Sequence, residues 1–399
     1  MQIATWVLIL GLGVPAYAYL GYPVLLFVMA ALVQMARDVY YLLYRSERRT
    51  RGEGLPSVTV LMAAHDEADV IERTLQNLAE LDYPREKLEI LVGSDGSTDG
   101  TAALVRGWSE RGVRVLDFSE RRGKMSVISD CAAEARGDIL VLTDANTLIR
   151  PDAVRNLVRH FGDPSVGAVC GELRLVSADG KPAEEGLYWR YEVTLKILEN
   201  RLNAVLGANG AIYALRRPLF PSLPRDLITD DFVIPMTVRA AGYRVVYDPE
   251  AVAMEEAPGS VSSEFRRRVR IGAGNWQALA RCASLLLPWR GFVSYAFWSH
   301  KVLRWATPFL LIAALAANVM LLGSTAGQVV LALQAAFYAA AALGFLLPRL
   351  HVRAGPLRLP AYFVAINAAL AAGLLRGLLH RQRAAWNRTS RQPLPNRRD

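Results

Sequence analysis

From Val7 to Val33 the chain carries no Asp, Glu, Lys, Arg or His. A run of that length crosses the hydrocarbon of a bilayer as a helix, which satisfies its own backbone hydrogen bonds there. Three further apolar runs, Thr307–Leu322, Val329–Leu347 and Leu359–Leu375, repeat the signal. Between the first run and these, Ser57 to about Glu256 has the mixed composition of an ordinary water-facing protein. The 52% apolar content of the 399 residues is therefore unevenly spread, and a mixed design of membrane helices and a soluble domain is expected. Ala16-Tyr17-Ala18 resembles a signal-cleavage site. No basic residue precedes the apolar run, however, and the run continues past that point, so an uncleaved anchor is expected.

The net charge of +9 is concentrated beside these spans, in residues 45–54, 265–270, 348–358 and 380–399. Lys and Arg at span edges mark the cytoplasmic side and favour anionic membrane lipids as partners. Because the charge tracks the membrane edges, a nucleic-acid partner is not expected. One conflict follows. With the soluble part in the cytoplasm, three later crossings leave the basic tail outside, against the positive-inside rule. Cys131, Cys170 and Cys282 lie far apart with no CxxC, so neither a zinc spacing nor a disulfide framework is present.

Within the soluble part, three apolar runs end in polar or acidic clusters. These are Ser57–Glu67, Leu88–Thr101 around Asp95, and Asp138–Asn146 with Asp144 at its end. Short runs apolar on both faces suit parallel strands covered by helices. Helical stretches separate them, at Val70–Leu81, after Ser97-Thr98-Asp99, and at Met125–Ala135. This βαβαβ order predicts a doubly wound, mostly parallel α/β sheet, in which ligands bind beyond the carboxyl ends of the strands. The acids stand there. Asp99 and Asp152 suit helix or turn capping better than ligation. Lys124 in Arg121-Arg122-Gly123-Lys124 is either a solvated loop charge or a partner for phosphate, and Asp144 can hold a hard divalent cation. No GxGxxG follows the first strand and no GxxxxGK[ST] occurs, so phosphate must be managed by metal and side chains.

With these motifs in order, the chain resembles a membrane-bound family 2 glycosyltransferase with the Rossmann-like GT-A fold, over roughly Ser57 to Gln277 and in the membrane layout. Glu67 in AAHDEADVIERTLQNLAELDYP matches the glutamate of the family opening, P-x-x-N-E. GSDGSTDGT resembles D-D-G-S-x-D, with Ser94 in place of the first acid and Asp95 keeping the second. Lys124 matches the lysine near the diphosphate. TDANT takes the place of D-x-D, so Asp144 matches the first acid and Asn146 stands at the second. ITDDFVIP resembles T-E-D, with Asp231 at the base position and Asp230 beside it. RRVRI, with Arg267 and Arg270, occupies the place of Q/R-x-x-R-W, and Ile271 replaces the tryptophan associated with processive synthases.

The resemblance implies inverting transfer of a sugar from a nucleotide-sugar donor, with a UDP-sugar favoured, to a lipid or glycan acceptor. Glu67, Asp95, Lys124, Asp144, Arg267 and Arg270 would hold the nucleotide sugar. Asp144 and Asn146 would hold Mg2+ or Mn2+, and Asp231, assisted by Asp230, would serve as base. The Asp230-Asp231 pair also suits an N-terminal helix cap, and both roles can coexist. Leu206–Arg217 reads equally as an acceptor-side segment or a packed strand with a glycine bend. Residues 262–289 suit an interfacial helix whose Arg266, Arg267 and Arg270 face either lipid and water or the diphosphate. The expected division is a transmembrane helix (1–36), a basic linker (37–56), a cytoplasmic GT-A domain (57–258), interfacial helices (259–302), about three membrane helices (303–380) and a basic tail (381–399). It implies an integral inner-membrane protein, with room for polysaccharide-export partners. Two other readings stand beside this one: an inactive scaffold for envelope-polysaccharide assembly, and a sugar-phosphate nucleotidyltransferase.

Overall fold

The computed structural model describes residues 1–44, 54–176, 187–256, 261–350, 352 and 355–379. Residues 45–53 of the expected basic linker, residues 177–186 and 257–260, and the basic tail lie outside the described residues, as does part of the basic stretch 348–358. In chain order the helices are α1 (Gln2–Ala16), α2 (Tyr22–Tyr44), α3 (Ala68–Ala79), α4 (Thr101–Arg106), α5 (Lys124–Glu134), α6 (Ala153–Val158), α7 (Leu187–Arg201), α8 (Asp230–Ala240), α9 (Val261–Arg281), α10 (Phe292–Ala296), α11 (Leu303–Met320), α12 (Thr325–Leu346) and α13 (Arg358–Leu378). The chain forms two compact units. One comprises Met1–Phe27, Ser260–Leu279 and Tyr295–Gln382, and the other includes Val28–Gly259 and Ala280–Ser294.

In the second unit, all seven residues of strand β1 (Val58–Ala64) are buried. A strand buried on both faces belongs inside a helix-covered sheet. It is joined by β2 (Leu88–Asp95), β3 (Val113–Phe118), β4 (Ile139–Leu142), β5 (Leu148–Ile149), β6 (Val166–Val176), β7 (Tyr213–Arg216) and β8 (Arg244–Glu256), in the order β3-β2-β1-β4-β7-β6-β8-β5. The βαβαβ reading holds. Strands β1 to β4 run parallel, with Val58 opposite Leu88 on one side and Ile139 on the other. Strand β7 is antiparallel to both its neighbours, β8 is parallel to β6, and the short β5 is antiparallel to β8. The sheet is thus mixed but mostly parallel. Strand β1 is paired with β2 on one side and β4 on the other, which is the topological switch where crevices open at strand ends.

Helix packing onto this sheet depends on small residues. A Cβ on Gly93 in β2 would stand 2.2 Å from Val127 Cγ1 and 2.8 Å from Cys131 Sγ, so the missing side chain lets α5 lie close to the sheet. The core contains Val60, Met62, Ile71, Leu75, Leu78, Val92, Val141 and Leu157, each fully buried. Each such side chain contributes about 1.5–3 kcal/mol by leaving water.

Among the described residues, four helices are long and apolar enough to cross a membrane: Gln2–Tyr44, Phe292–Met320, Thr325–Leu346 and Gly355–Leu378. Two of them differ from the boundaries expected from sequence. The first runs on to Tyr44, beyond residue 36, and the second starts at Phe292, ahead of residue 303. Both are continuous and contain a π turn, at Tyr17–Gly21 and at Phe297–Val302. Each π turn lies near prolines, Pro15 and Pro23 for the first and Pro308 for the second, which withdraw backbone donors locally. Tyr17 donates its hydroxyl proton to Tyr295 Oη at 2.8 Å, linking the two irregular helices. Gly11 lets α1 approach α11, where an added Cβ would be 2.8 Å from Leu310 O, and Gly373 does the same for α13 against α9.

Candidate active site

The carboxyl ends of β1, β2 and β4 lie side by side, and each carries acids. After β4, the turn bearing Asp144 and Asn146 is held from three directions. Thr147 N donates to Asp144 O at 3.1 Å, Thr74 Oγ1 donates to Ala145 O at 2.7 Å, and Thr147 Oγ1 donates to Glu255 Oε1 at 2.8 Å. Asp144 is therefore on a rigid mount.

Lys124 is the first residue of α5 and follows Gly123, whose φ of 90° suits glycine. Its ammonium lies 2.9 Å from Asp144 Oδ1 and 3.2 Å from Asp230 Oδ2. Burial alone would lower the pKa of this lysine. The charges of Asp144, Asp230 and Asp231 outweigh burial and hold it well above its ordinary value, so it is a permanent cation.

Asp230 and Asp231 open α8 after Thr229, where the helix N-terminus favours negative charge. Pro235 lies inside this helix and has no N–H to give to the carbonyl of Asp231, four residues earlier. That carbonyl instead accepts from Ala208 N at 2.8 Å. The proline thereby frees the bond that ties the glycine-rich loop before β7 to the acidic helix. The loop brings Gly210 between two carboxylates. A Cβ there would stand 3.4 Å from Asp144 Oδ2 and 3.9 Å from Asp231 Oδ2. Asp144 and Asp231 therefore share one cleft, and the gap between them exists because residue 210 has no side chain. Burial raises the Asp231 pKa first, the neighbouring Asp230 adds to this, and the result is about 6.

Of the other residues expected from sequence, Asp95 is fully buried. Its Oδ1 accepts from Arg122 N at 2.5 Å and its Oδ2 from Gly123 N at 3.0 Å. It thus shapes the loop that presents Lys124. His65 donates from Nδ1 to the Asp95 carbonyl at 2.7 Å. Glu67 is buried at the start of α3, and its backbone N–H donates to Thr101 Oγ1 at 2.9 Å. Asp99 caps, as its position before α4 led us to expect: its carboxylate accepts from Ala68 N at 2.9 Å and Thr101 N at 3.0 Å. Arg267 and Arg270 stand on α9 in the other unit, and Arg267 pairs with Glu264 at 2.9 Å.

Sequence reasoning missed two residues. Tyr213 in β7 is buried, and its hydroxyl has no hydrogen-bond partner among the described residues. Burial, then Asp230, Asp231 and Asp144, raise its pKa well above the ordinary value, so it stays a neutral donor beside the acids. Lys196 on α7 lies near enough for its charge to act on Asp231. Both look like ordinary strand and helix residues, with no motif around them.

No group of three His, Cys, Asp or Glu among the described residues could hold a metal alone. The donor set still fits a hard divalent cation. Asp144 Oδ2 faces the gap over Gly210, Asn146 stands two residues on, and Mg2+ is ordinarily held by one or two carboxylates plus substrate phosphates.

Residues 59–220 match the family model described as Glycosyl transferase family 2. A poly-beta-1,6-N-acetyl-D-glucosamine synthase of Staphylococcus aureus (strain MSSA476) is 29% identical over 237 residues, which cover 57% of this chain and 56% of that protein. The match thus spans little more than half the length of that relative. The solved mannosyltransferase PcManGT from Pyrobaculum calidifontis, in complex with GDP-Man and Mn2+, superposes with a TM-score of 0.71 at 25% identity, covering 94% of this chain and 100% of that one. The ordered motifs, the mixed sheet and these likenesses agree: residues 59–220 carry a Glycosyl transferase family 2 domain, and the soluble part has the GT-A fold of its structural neighbours.

Proposed function

We propose that the chain moves a sugar from a nucleotide-diphosphate sugar, a UDP-sugar first, to a hydroxyl of a lipid-linked or glycan acceptor, with inversion. The observation that carries this reading is the convergence of Asp144 and Asp231 on the gap at Gly210, with Lys124 against Asp144. Asp231 takes the proton of the attacking hydroxyl. Its raised pKa makes it a stronger base than an exposed carboxylate, yet it is still ionised at neutral pH. Asp230 keeps that pKa high and also pairs with Lys124. Lys124 offsets the negative charge that develops on the departing nucleotide. Asp144 and Asn146 would hold Mg2+ or Mn2+, which when bound supplies further positive charge to the diphosphate. Glu67 and Asp95 belong to the nucleotide end, Asp95 through the Lys124 loop. Arg267 and Arg270 are assigned to the diphosphate by family likeness.

The four apolar helices and the basic residues beside them support an integral inner-membrane protein with a cytoplasmic catalytic domain. Ile271, where processive relatives carry tryptophan, supports short rather than long-chain addition. A second donor, GDP-mannose, is favoured by the complex of PcManGT. The test is a panel of UDP- and GDP-sugars with purified protein, with and without Mg2+ or Mn2+, and mass analysis of lipid and glycan products. Cation-dependent product from at least one donor is expected. Absence of both transfer and donor hydrolysis across the panel would favour the scaffold reading instead.

A further inference from the structure

Two lysines act electrostatically on Asp231, and they are in different states. Lys124 is neutralised by Asp144 and Asp230 at 2.9 and 3.2 Å. Lys196, on α7, has no hydrogen bond or ion pair among the described residues. Its ammonium lies 5.7 Å from the centroid of the Tyr247 ring. That ring is a fixed platform. The Tyr247 hydroxyl donates to Glu172, its N–H donates to Asn200 Oδ1 at 3.0 Å, and its carbonyl accepts from Asn200 Nδ2 at 3.1 Å. Asn200 lies one turn beyond Lys196 on the same helix, so the contact that holds α7 to β8 also holds the lysine in place. Arg174, exposed on β6, is a second cation close enough to act on Tyr247, and it too has no ion pair among the described residues.

A half-buried ammonium loses hydration, and a nearby anion is the usual compensation. A direct ion pair with Asp231 would supply one, but none forms within 4 Å among the described residues. In the proposed reaction, the donor diphosphate belongs to the Lys124 and Asp144 side. Lys196 sits over Tyr247, whose strand partner Cys170 donates from Sγ to Gly207 O at 3.2 Å in the loop tethered to Asp231, which leaves this lysine for the other reacting partner, the molecule whose hydroxyl Asp231 deprotonates. We infer that Lys196, with Arg174 at the rim, binds an oxyanion on the acceptor, so that the acceptor sugar carries a carboxylate or a phosphate. This rests on the reading of Asp231 as the base.

The test uses the full chain in nanodiscs with a radiolabelled donor. The acceptors are three decyl glycosides that differ only at carbon 6, which bears a hydroxymethyl, a carboxylate or a phosphate. Wild type is expected to prefer one charged glycoside over the neutral one by about tenfold in kcat/KM, the size of one charge-assisted hydrogen bond. The better of the two identifies the source of the oxyanion. Lys196→Met should erase that preference through KM, whereas Lys196→Arg keeps part of it. Donor affinity measured by titration reports that the variants are folded. Equal use of all three glycosides by wild type, or an equal loss on all three in Lys196→Met, overturns the inference. Asp231→Asn run in parallel separates the two ideas. If it stops turnover on every glycoside, a missing preference sinks only the acceptor inference. If it stays active on them, the base assignment fails and the inference goes with it.

Discussion

Asp231 gives the site its pH dependence. The carboxylate must be ionised to accept a proton, and burial followed by Asp230 raises its pKa to about 6. Turnover should therefore fall as pH drops through about 6 and level off above it. Asp230→Asn removes the like charge, and the acid limb of the kcat profile should move to lower pH. An unmoved limb would show that the two carboxylates are not coupled. The same shift has a stability consequence of opposite sense. A carboxylate with a raised folded pKa binds its proton more tightly in the folded chain, so stability falls as pH rises through that range. Asp231→Asn should accordingly raise Tm at pH 8 while it abolishes transfer. Gly210 is the second residue of consequence. Its φ is not among the positive ones, and an added Cβ meets Asp144 Oδ2 only at ordinary contact distance, 3.4 Å. Gly210→Ala should keep the fold and its Tm but fill the cleft, lowering kcat by about 10²-fold, the usual cost of a misplacement near 1 Å. These acids and Lys124 were legible in the sequence because each follows an apolar strand or opens a helix. Gly210 was legible only as a bend, since the carboxylates on either side of it come from residues 144 and 231.

At the scale of elements, α8 and the loop before β7 act together through one missing donor. Pro235 leaves the Asp231 carbonyl to Ala208, at 2.8 Å. Pro235→Ala restores an N–H that competes for that carbonyl. The helix should gain stability, by up to ~3 kcal/mol, while the loop loses its tether. The expected signature is faster amide exchange at residues 207–210 and weaker acceptor KM with donor affinity intact. Unchanged exchange in the loop would refute the tether. The loop between β3 and α5 has a similar logic. Asp95 reads in the sequence as a nucleotide ligand, but both its oxygens are engaged by backbone N–H groups of Arg122 and Gly123. Nothing in residues 88–101 alone announces that partner, because it comes from a segment more than 20 residues further on. Strand β7 reverses direction relative to β4, and it is this reversal that sets Tyr213, at the start of β7, opposite Leu142 at the carboxyl end of β4.

For the whole molecule, the four apolar helices predict that the chain stays with the membrane pellet after alkaline carbonate extraction and is released by detergent. Release by carbonate would mean that these helices only lie on the surface. Their existence was plain from the charge-free runs, each long enough to form an apolar helix. Their continuity was not. The π turns at Tyr17–Gly21 and Phe297–Val302 lie inside these continuous helices, and hydropathy does not distinguish a π turn from an α turn. The sequence alone determined the parallel strands, their acidic ends and the long apolar helices, because these follow from local patterns of side-chain period and charge. Only the tertiary structure decided which acids converge, that Asp95 supports a loop, and that Lys196 lies over the ring of Tyr247. Those facts depend on through-space distances between segments far apart in the chain, and local patterning does not encode them.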